Sequence, residues 1–300
     1  MIPSNTSTNA SEALILDGKA TACAVRSDVA VDVAALTAQG RAPGLTVVLV
    51  GDDPASQVYV RSKDKAATEA GFVVNTIRVA ADAAQTDVEG IVDQLNGDDL
   101  VDGILVQLPL PSQLDADAVV DRIAPEKDVD GLTAANVARL SMGRPGLVPC
   151  TPAGCVELLD RHDIDLSGKD VVVIGRSQLV GKPFAQLALA RNATVTVCHS
   201  RTKDLATHCR GADVIVAAVG VRELVRGDWV KQGAVVLDVG INRDDEGKLV
   251  GDVHYASTAE RAAAITPVPG GIGPMTIAML LANTLKASAA RQGIQIASPA

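Results

Sequence analysis

Aromatic side chains are almost missing from this 300-residue chain, which has two Phe, two Tyr and one Trp. Its interiors must therefore be filled by Val, Leu, Ile and Ala, and an apolar share of 47% is enough to do so. Cysteine shows no pairing pattern. Cys23, Cys150, Cys155, Cys198 and Cys209 contain no CxxC, and an odd, scattered set fits reduced thiols in a cytosol, the location expected. The four histidines are spread along the chain without metal-ligand spacing, so no metal is expected. No apolar run approaches the ~20 residues of a membrane span. Positive charge is also short: 27 Lys and Arg against 36 Asp and Glu give a net charge of −9, which argues against nucleic acid as a partner. Any anionic ligand needs a local basic pocket. Residues 1–12 are rich in Ser, Thr and Asn and lack Lys and Arg; they fit neither a signal nor a transit peptide and read as a flexible tail.

What the chain does have is an alternation of strands and helices, and its length suits two medium domains. Residues 14–39 carry helical spacing that opens at Asp17 and closes at Gly40, with Ala22, Val25, Val29, Val33 and Leu36 inward. Residues 45–50 read as a buried strand. A helix of roughly four turns follows and ends near Gly71; Asp53 or Ser56 caps it, and Pro54 suits its first turn. At ~100° per residue, Tyr59, Lys63, Ala66 and Ala70 share one narrow face, opposite Arg61, Asp64, Lys65 and Thr68. Lys63 thus sits on the inward face. Either its stem packs and its amine snorkels to water, or the amine is partly desolvated and fit for proton transfer. Strands at 72–79 and 101–106 and helices at 88–95, capped by Thr86 or Asp87, and 116–123 imply a parallel sheet with right-handed crossovers.

Ligands of such sheets bind beyond the carboxyl ends of the strands. Gln107-Leu-Pro-Leu-Pro111 stands at one such end, as a plain turn or as part of a site. Asp128 and Asp130, before Gly131, suggest a loop that binds something or caps the next helix. A break between residues 143 and 152, dense in Gly and Pro, marks the domain boundary, and a helix is expected over 153–162.

The second half reads as a Rossmann-type run. Strands are expected at 170–174, 194–198, 213–218 and 234–239. Gly175-Arg-Ser177-Gln-Leu-Val-Gly181-Lys-Pro183 is the tight loop entering a helix over 184–190. Ser177 replaces the middle glycine of the usual fingerprint and the last glycine comes one residue late, yet Gly175 and Gly181 still permit the turn and backbone amides can receive phosphate. The second strand ends in Cys198-His199-Ser200-Arg201, with no acid for ribose hydroxyls, and Arg176 lies in the loop; hydroxyls and arginines suit a 2′-phosphate, hence NADP rather than NAD. Near the end, Thr266-Pro-Val-Pro-Gly270-Gly-Ile-Gly273-Pro-Met-Thr276 reads as a rigid loop able to approach a flat ligand, before an apolar helix over 276–289.

Tyr59-Val-Arg-Ser-Lys63, Gln107-Leu-Pro-Leu-Pro111, Lys127-Asp-Val-Asp-Gly131, Pro149-Cys-Thr-Pro152, Gly175-Arg-Ser177 with Val180-Gly181, Asp238-Val-Gly-Ile-Asn242 and Pro269-Gly-Gly-Ile-Gly-Pro-Met-Thr276 stand in order. Together they closely resemble the bifunctional methylenetetrahydrofolate dehydrogenase/methenyltetrahydrofolate cyclohydrolase family, from about Leu14 to the last helix. Ile272 stands where the family more often has valine. The resemblance implies a two-domain α/β fold across a cleft. A folate-binding catalytic domain would comprise residues 13–148 with 276–300 returning to it, and a Rossmann-type NADP domain residues 149–275.

The resemblance also implies roles. Lys63 would be the proton shuttle of the hydrolytic step, oriented by Gln107. Tyr59 would stack on the folate rings, and Asp130 would hold the donor edge of the pterin. Pro269, Gly270, Gly271 and Gly273 would line the folate cleft. Gly175, Arg176 and Ser177 would take the NADP phosphates, with Ser200 and Arg201 near the 2′-phosphate, and Ile241 would touch the cofactor through its backbone. A homodimer and a folate substrate carrying a polyglutamate tail are further expectations. The rivals are a monofunctional NADP-dependent dehydrogenase and a non-catalytic nucleotide-binding protein on the same scaffold.

Overall fold

The computed structural model describes residues 13–296, so the tail expected over residues 1–12 lies outside the described residues. In chain order, β1 (Leu14–Ile15) and α1 (Gly18–Gln39) precede β2 (Gly44–Val50), α2 (Pro54–Glu69), β3 (Val73–Val79), α3 (Gln85–Gly97), β4 (Gly103–Val106), α4 (Ala116–Asp121) and α5 (Ala134–Ser141). Then come α6 (Cys150–Asp160), β5 (Asp170–Ile174), α7 (Gly181–Ala190), β6 (Thr194–Cys198), α8 (Leu205–Gly211), β7 (Val214–Ala217) and β8 (Val235–Asp238). The chain closes with a short β9 (Asn242–Arg243) and β10 (Leu249–Val250) hairpin, α9 (Tyr255–Ala259), β11 (Ala264–Ile265) and α10 (Ile272–Gln292).

The first parallel sheet has the order β3-β2-β4. Every residue of β2 is buried, as expected of a central parallel strand covered on both faces. Alternation divides it between two cores: Leu45, Val47 and Leu49 pack with α1 and α10, whereas Val48 and Val50 pack with α3. The second sheet is also parallel, in the order β1-β11-β8-β7-β5-β6. Val171 and Val173 of β5 face one core and Val172 and Ile174 the other.

Local chemistry accounts for the helix starts. Asp17 accepts from the Ala20 amide at 2.9 Å, and the inward face of α1 is the Ala22, Val25, Val29, Val33 and Leu36 stripe expected of it. Asp53 accepts from the Ser56 amide at 2.7 Å, with Pro54 behind it in the first turn of α2.

Several expectations need correction. Leu14 and Ile15 are not part of a helix in the first domain; they pair with Ala264 and Ile265 at the edge of the second sheet. Helix α3 begins at Gln85, so Thr86 and Asp87 lie inside its first turn. Helix α6 starts at Cys150, three residues before the expected position. Helix α10 starts at Ile272, so Gly273 and Pro274 are in its first turn and not in a loop. Asp64 does not face water: its carboxylate accepts from the Thr76 hydroxyl of β3 at 2.9 Å.

Helix α10 packs on α1 and α6 and reaches β2 and β4. Its far end is tied down by charge. Asp102, fully buried, accepts from both terminal nitrogens of Arg41 at 2.6 and 2.8 Å, from the Gly44 amide at 3.0 Å and from Arg291 of α10 at 3.2 Å. Gln292 exchanges two further bonds with the Arg41 backbone.

Candidate active site

Two buried lysines show what is unusual about one of them. The Lys127 ammonium donates to the carbonyls of Leu95, Asn96 and Asp98 at 2.9, 2.8 and 2.7 Å, and so caps the end of α3 with all three donors used. Lys63, only 8% exposed, has a single hydrogen-bond acceptor among the described residues, the Gln107 side-chain oxygen at 2.9 Å. Its other donors are left to a cavity of about 400 Å³ that it helps to line. The neighbouring Arg61 and Lys65 are exposed. Gln107, at the end of β4, gives its amide N–H to the Leu108 carbonyl at 2.6 Å. That bond fixes which end of the amide faces the lysine: it must be the oxygen.

The two carboxylates of the following loop have separate duties. Asp128 closes the loop, accepting from the amides of Leu132 and Thr133 at 3.1 and 2.8 Å and from Asn136 at 2.9 Å. Asp130 lines the same cavity as Lys63. Burial pushes its carboxyl above the ordinary range, the nearby Lys63 charge opposing the shift. Asn283 of α10 sets the loop's position: its amide donates to the carbonyls of Val129 at 2.9 Å and Val148 at 2.8 Å. The Cys150 thiol beside it donates to the Val129 carbonyl at 3.3 Å and is held far from ionisation by burial and by Asp130. Tyr59, one turn before Lys63 and 44% exposed, stands where this cavity meets a second, wider one of about 690 Å³.

The remaining expected residues divide around this centre. Gly273 and Ile241 line both cavities, while Pro269, Gly270 and Gly271 line only the wider one of the two. Gly175, Arg176, Ser177, Ser200 and Arg201 line neither; they lie at the carboxyl ends of β5 and β6, with Leu179 and Val180 of the same loop reaching the Lys63 cavity. Gly175 has φ of +125°, and a side chain there would strike the Ala218 carbonyl. Ser177 turns its hydroxyl back to accept from the Val180 amide at 3.1 Å, so it braces the loop itself. Arg176 and Arg201 are exposed, and among the described residues neither guanidinium has an ion-pair partner.

Two protein families match the chain: the tetrahydrofolate dehydrogenase/cyclohydrolase catalytic domain over residues 16–130 and the NAD(P)-binding domain of the same name over residues 149–292. The chain belongs to the tetrahydrofolate dehydrogenase/cyclohydrolase family. It is 57% identical over 276 residues to the bifunctional protein FolD of Moorella thermoacetica, covering 92% of this chain and 99% of that one. Among solved structures it resembles the bifunctional FolD enzyme of Campylobacter jejuni, with a TM-score of 0.91 and 46% identity over 92% of this chain and 99% of that one. It also resembles the Trypanosoma brucei FolD complexed with NADP cofactor and inhibitor, with a TM-score of 0.88 and 43% identity over 92% and 97%.

Sequence reasoning missed the residues that hold the family's site in place. Asn283 looks like one more polar residue of a helix, and only the fold brings it to Val129. Asp238 was visible in its motif without a role. It accepts from the amides of Gly240, Asp252 and Val253 at 3.0, 2.9 and 2.9 Å, shaping the turn that presents Ile241. Burial, with Asp252 close by, pushes its carboxyl up to about 7 against the pull of those amides. Among the described residues, no cluster of three or more His, Cys, Asp or Glu could hold a metal.

Proposed function

We propose that this chain oxidises 5,10-methylenetetrahydrofolate to the 5,10-methenyl cation with NADP and then hydrolyses that cation to 10-formyltetrahydrofolate. The observation that carries the proposal is the Lys63–Gln107 pair, a buried amine with one fixed acceptor and free donors, which serves the hydrolytic step in a cavity that also meets the nucleotide loop.

The first step needs positioning more than acid–base help, because only a hydride leaves the reacting carbon. Tyr59 stacks on the folate rings, and Asp130 accepts from the pterin's donor edge. NADP, when bound, accepts the hydride. The groups available to hold it suit a phosphorylated ribose: a glycine turn at Gly175, the start of the ten-residue helix α7, and the unpaired Arg176 and Arg201 with Ser200. Ile241 offers its backbone to the cofactor, and Gly175 and Arg176 frame the phosphates in a loop that Ser177 braces. The second step needs a proton shuttle. As water adds to the methenyl carbon, the Lys63 side chain relays the proton released and delivers one to the ring nitrogen as the carbon–nitrogen bond opens, with Gln107 keeping the side chain in line. Pro269, Gly270, Gly271 and Gly273 form the opposing wall of the folate cleft.

The retained lysine favours the bifunctional reading over a dehydrogenase alone, since hydride transfer does not require that base. A cytosolic location is supported by four buried, unbridged cysteines, and among the described residues no helix is long and apolar enough to cross a membrane. A homodimer is proposed on β3, which pairs only with β2 among the described residues. The domain division proposed is 13–148 with the C-terminal helix, and 149–275, with Leu14 and Ile15 and the first turn of α10 as the crossing points.

A spectroscopic assay with 5,10-methylenetetrahydrofolate tests the proposal. Reduced nucleotide and formyl product both appear with NADP, and Arg201→Ala weakens NADP more than NAD. Equal losses for the two nucleotides contradict the 2′-phosphate assignment, and no reduced nucleotide with either contradicts the function.

A further inference from the structure

Asp252, which follows the β9–β10 hairpin, is fully buried and lines neither cavity. Among the described residues no cation pairs with it. Its carboxylate instead gathers separate loop segments. One oxygen accepts from the Val219 and Gly220 amides at 2.6 and 2.9 Å, in the turn after β7, and the other accepts from the Asn242 side-chain amide at 2.9 Å, at the start of β9. The Asp252 backbone amide donates to Asp238 at the end of β8 at 2.9 Å. Two glycines make room for this clasp. A side chain at Gly240 would strike the Asp252 carboxylate, and one at Gly251 would strike that of Asp238. A buried carboxylate with no cation is costly to keep. Here every hydrogen bond it accepts comes from beyond the carboxyl ends of β7 and β8, and none from the sheet itself.

Those ends lie between the nucleotide loop and the Lys63 cavity. In the second sheet β7 stands between β5, which carries the nucleotide loop, and β8. The Ala218 carbonyl at the end of β7 lies close enough to Gly175 that a side chain there would strike it. On the other side, Val239 and Ile241, between Asp238 and Asn242, line the Lys63 cavity. We propose that Asp252 is a positioning residue for hydride transfer, its carboxylate locking the turn after β7 and the 239–242 segment into one wall that aligns the nucleotide with the folate; this rests on the dehydrogenase function proposed above. Asp252 touches neither reactant. It acts through the Val219 and Gly220 amides on one side and, through Asn242, on Ile241 on the other. Charge-assisted bonds to a buried carboxylate are the stronger kind, which suits a joint that must not give. The Lys63–Gln107 pair belongs to the other sheet and makes no bond to this clasp, so hydrolysis depends on it far less.

The test exchanges the two partners. Asp252→Asn keeps the shape of the side chain but sets a donor against a donor, and Asn242→Asp sets two carboxylates against each other. The double variant swaps the groups and restores the bond. Each single variant is expected to lower kcat for methylenetetrahydrofolate oxidation about 10²-fold, the scale of a small misplacement of reactants, and the double variant to recover most of that loss. Hydrolysis of methenyltetrahydrofolate supplied without nucleotide stays near the wild-type rate. In the nucleotide-free protein, amide hydrogen exchange at residues 219–220 and 239–242 quickens in the single variants and slows again in the double. Loss of both half-reactions together marks a structural role and overturns the assignment. Oxidation at the wild-type rate in Asp252→Asn, or a double variant no better than the singles, overturns it as well. Asn242→Asp leaves Asp252 in place and carries the comparison if Asp252→Asn fails to fold. A wild type that forms no reduced nucleotide refutes the dehydrogenase function, and this inference with it; a wild type that turns over, with unaffected variants, refutes this inference alone.

Discussion

At the scale of single residues, the distinction that matters is between a lysine that is used up and one that is not. Lys127 spends its three donors on carbonyls, whereas Lys63 keeps most of its capacity for the cavity. Gln107 is the partner that makes this arrangement specific. Replacing it with leucine leaves the amine without its acceptor and free to swing. Gln107→Leu is expected to slow hydrolysis of the methenyl cation by about 10²–10³ while slowing hydride transfer much less; separate assays of the two half-reactions check this, and equal losses would mean that the glutamine only supports the fold. Helical spacing alone put Lys63 on the inward face of its helix, whereas the roles expected of Tyr59 and Asp130 came only from the resemblance to the family. The duties of Asp128, Asp64 and Ser177 were legible in neither. A wheel projection assigns Asp64 to water, but β3 lies on that side of α2, and a hydroxyl in a phosphate loop reads as a ligand group until its own backbone is seen to claim it.

At the scale of elements, α10 connects the most parts of the site. Its start contributes Gly273 to both cavities, its middle holds the Asp130 loop through Asn283, and its end meets Asp102. Asn283→Leu leaves the half-buried Val148 carbonyl without this donor and the buried Val129 carbonyl with only the Cys150 thiol, at a cost of about 1–3 kcal/mol. Urea unfolding should show that loss, and KM for folate should rise because Asp130 is no longer pinned; unchanged stability and KM together would remove Asn283 from this account. Long elements were the readable ones. β5 and β6 begin and end where their patterns say, since runs dominated by Val, Ile and Thr between turn residues leave little choice. β1 and β11, two residues each, carry no pattern at all. The start of α10 misleads because Gly273 and Pro274 look like loop, yet the first turn of a helix needs no N–H from its proline.

At the scale of the molecule, α10 packs on α1 and α6 and reaches the first sheet, to which its far end is tied by charge. Burial opposes ionisation of Asp102, but the Arg41 pair and the Gly44 amide outweigh it and hold the carboxyl below its ordinary range. Its contribution to stability is thus complete above the unfolded carboxyl's value of ~4 and is lost as the pH falls through the lower folded value. Asp102→Asn is expected to cost about 3 kcal/mol at neutral pH, leaving the guanidinium of Arg41 unpaired, and the gap to the wild type should narrow on acidification. Denaturant titrations at pH 7 and pH 3 measure it; a gap that widens in acid contradicts the sign. The cleft between the sheets is where two reactions share one bound folate, and the claim on which the account turns is that a single amine serves the second of them. The most direct measurement follows methylenetetrahydrofolate through both steps in Lys63→Met with NADP. Reduced nucleotide should form and methenyltetrahydrofolate should accumulate, with formyltetrahydrofolate appearing only at the uncatalysed rate; formyl product at the wild-type rate would contradict it.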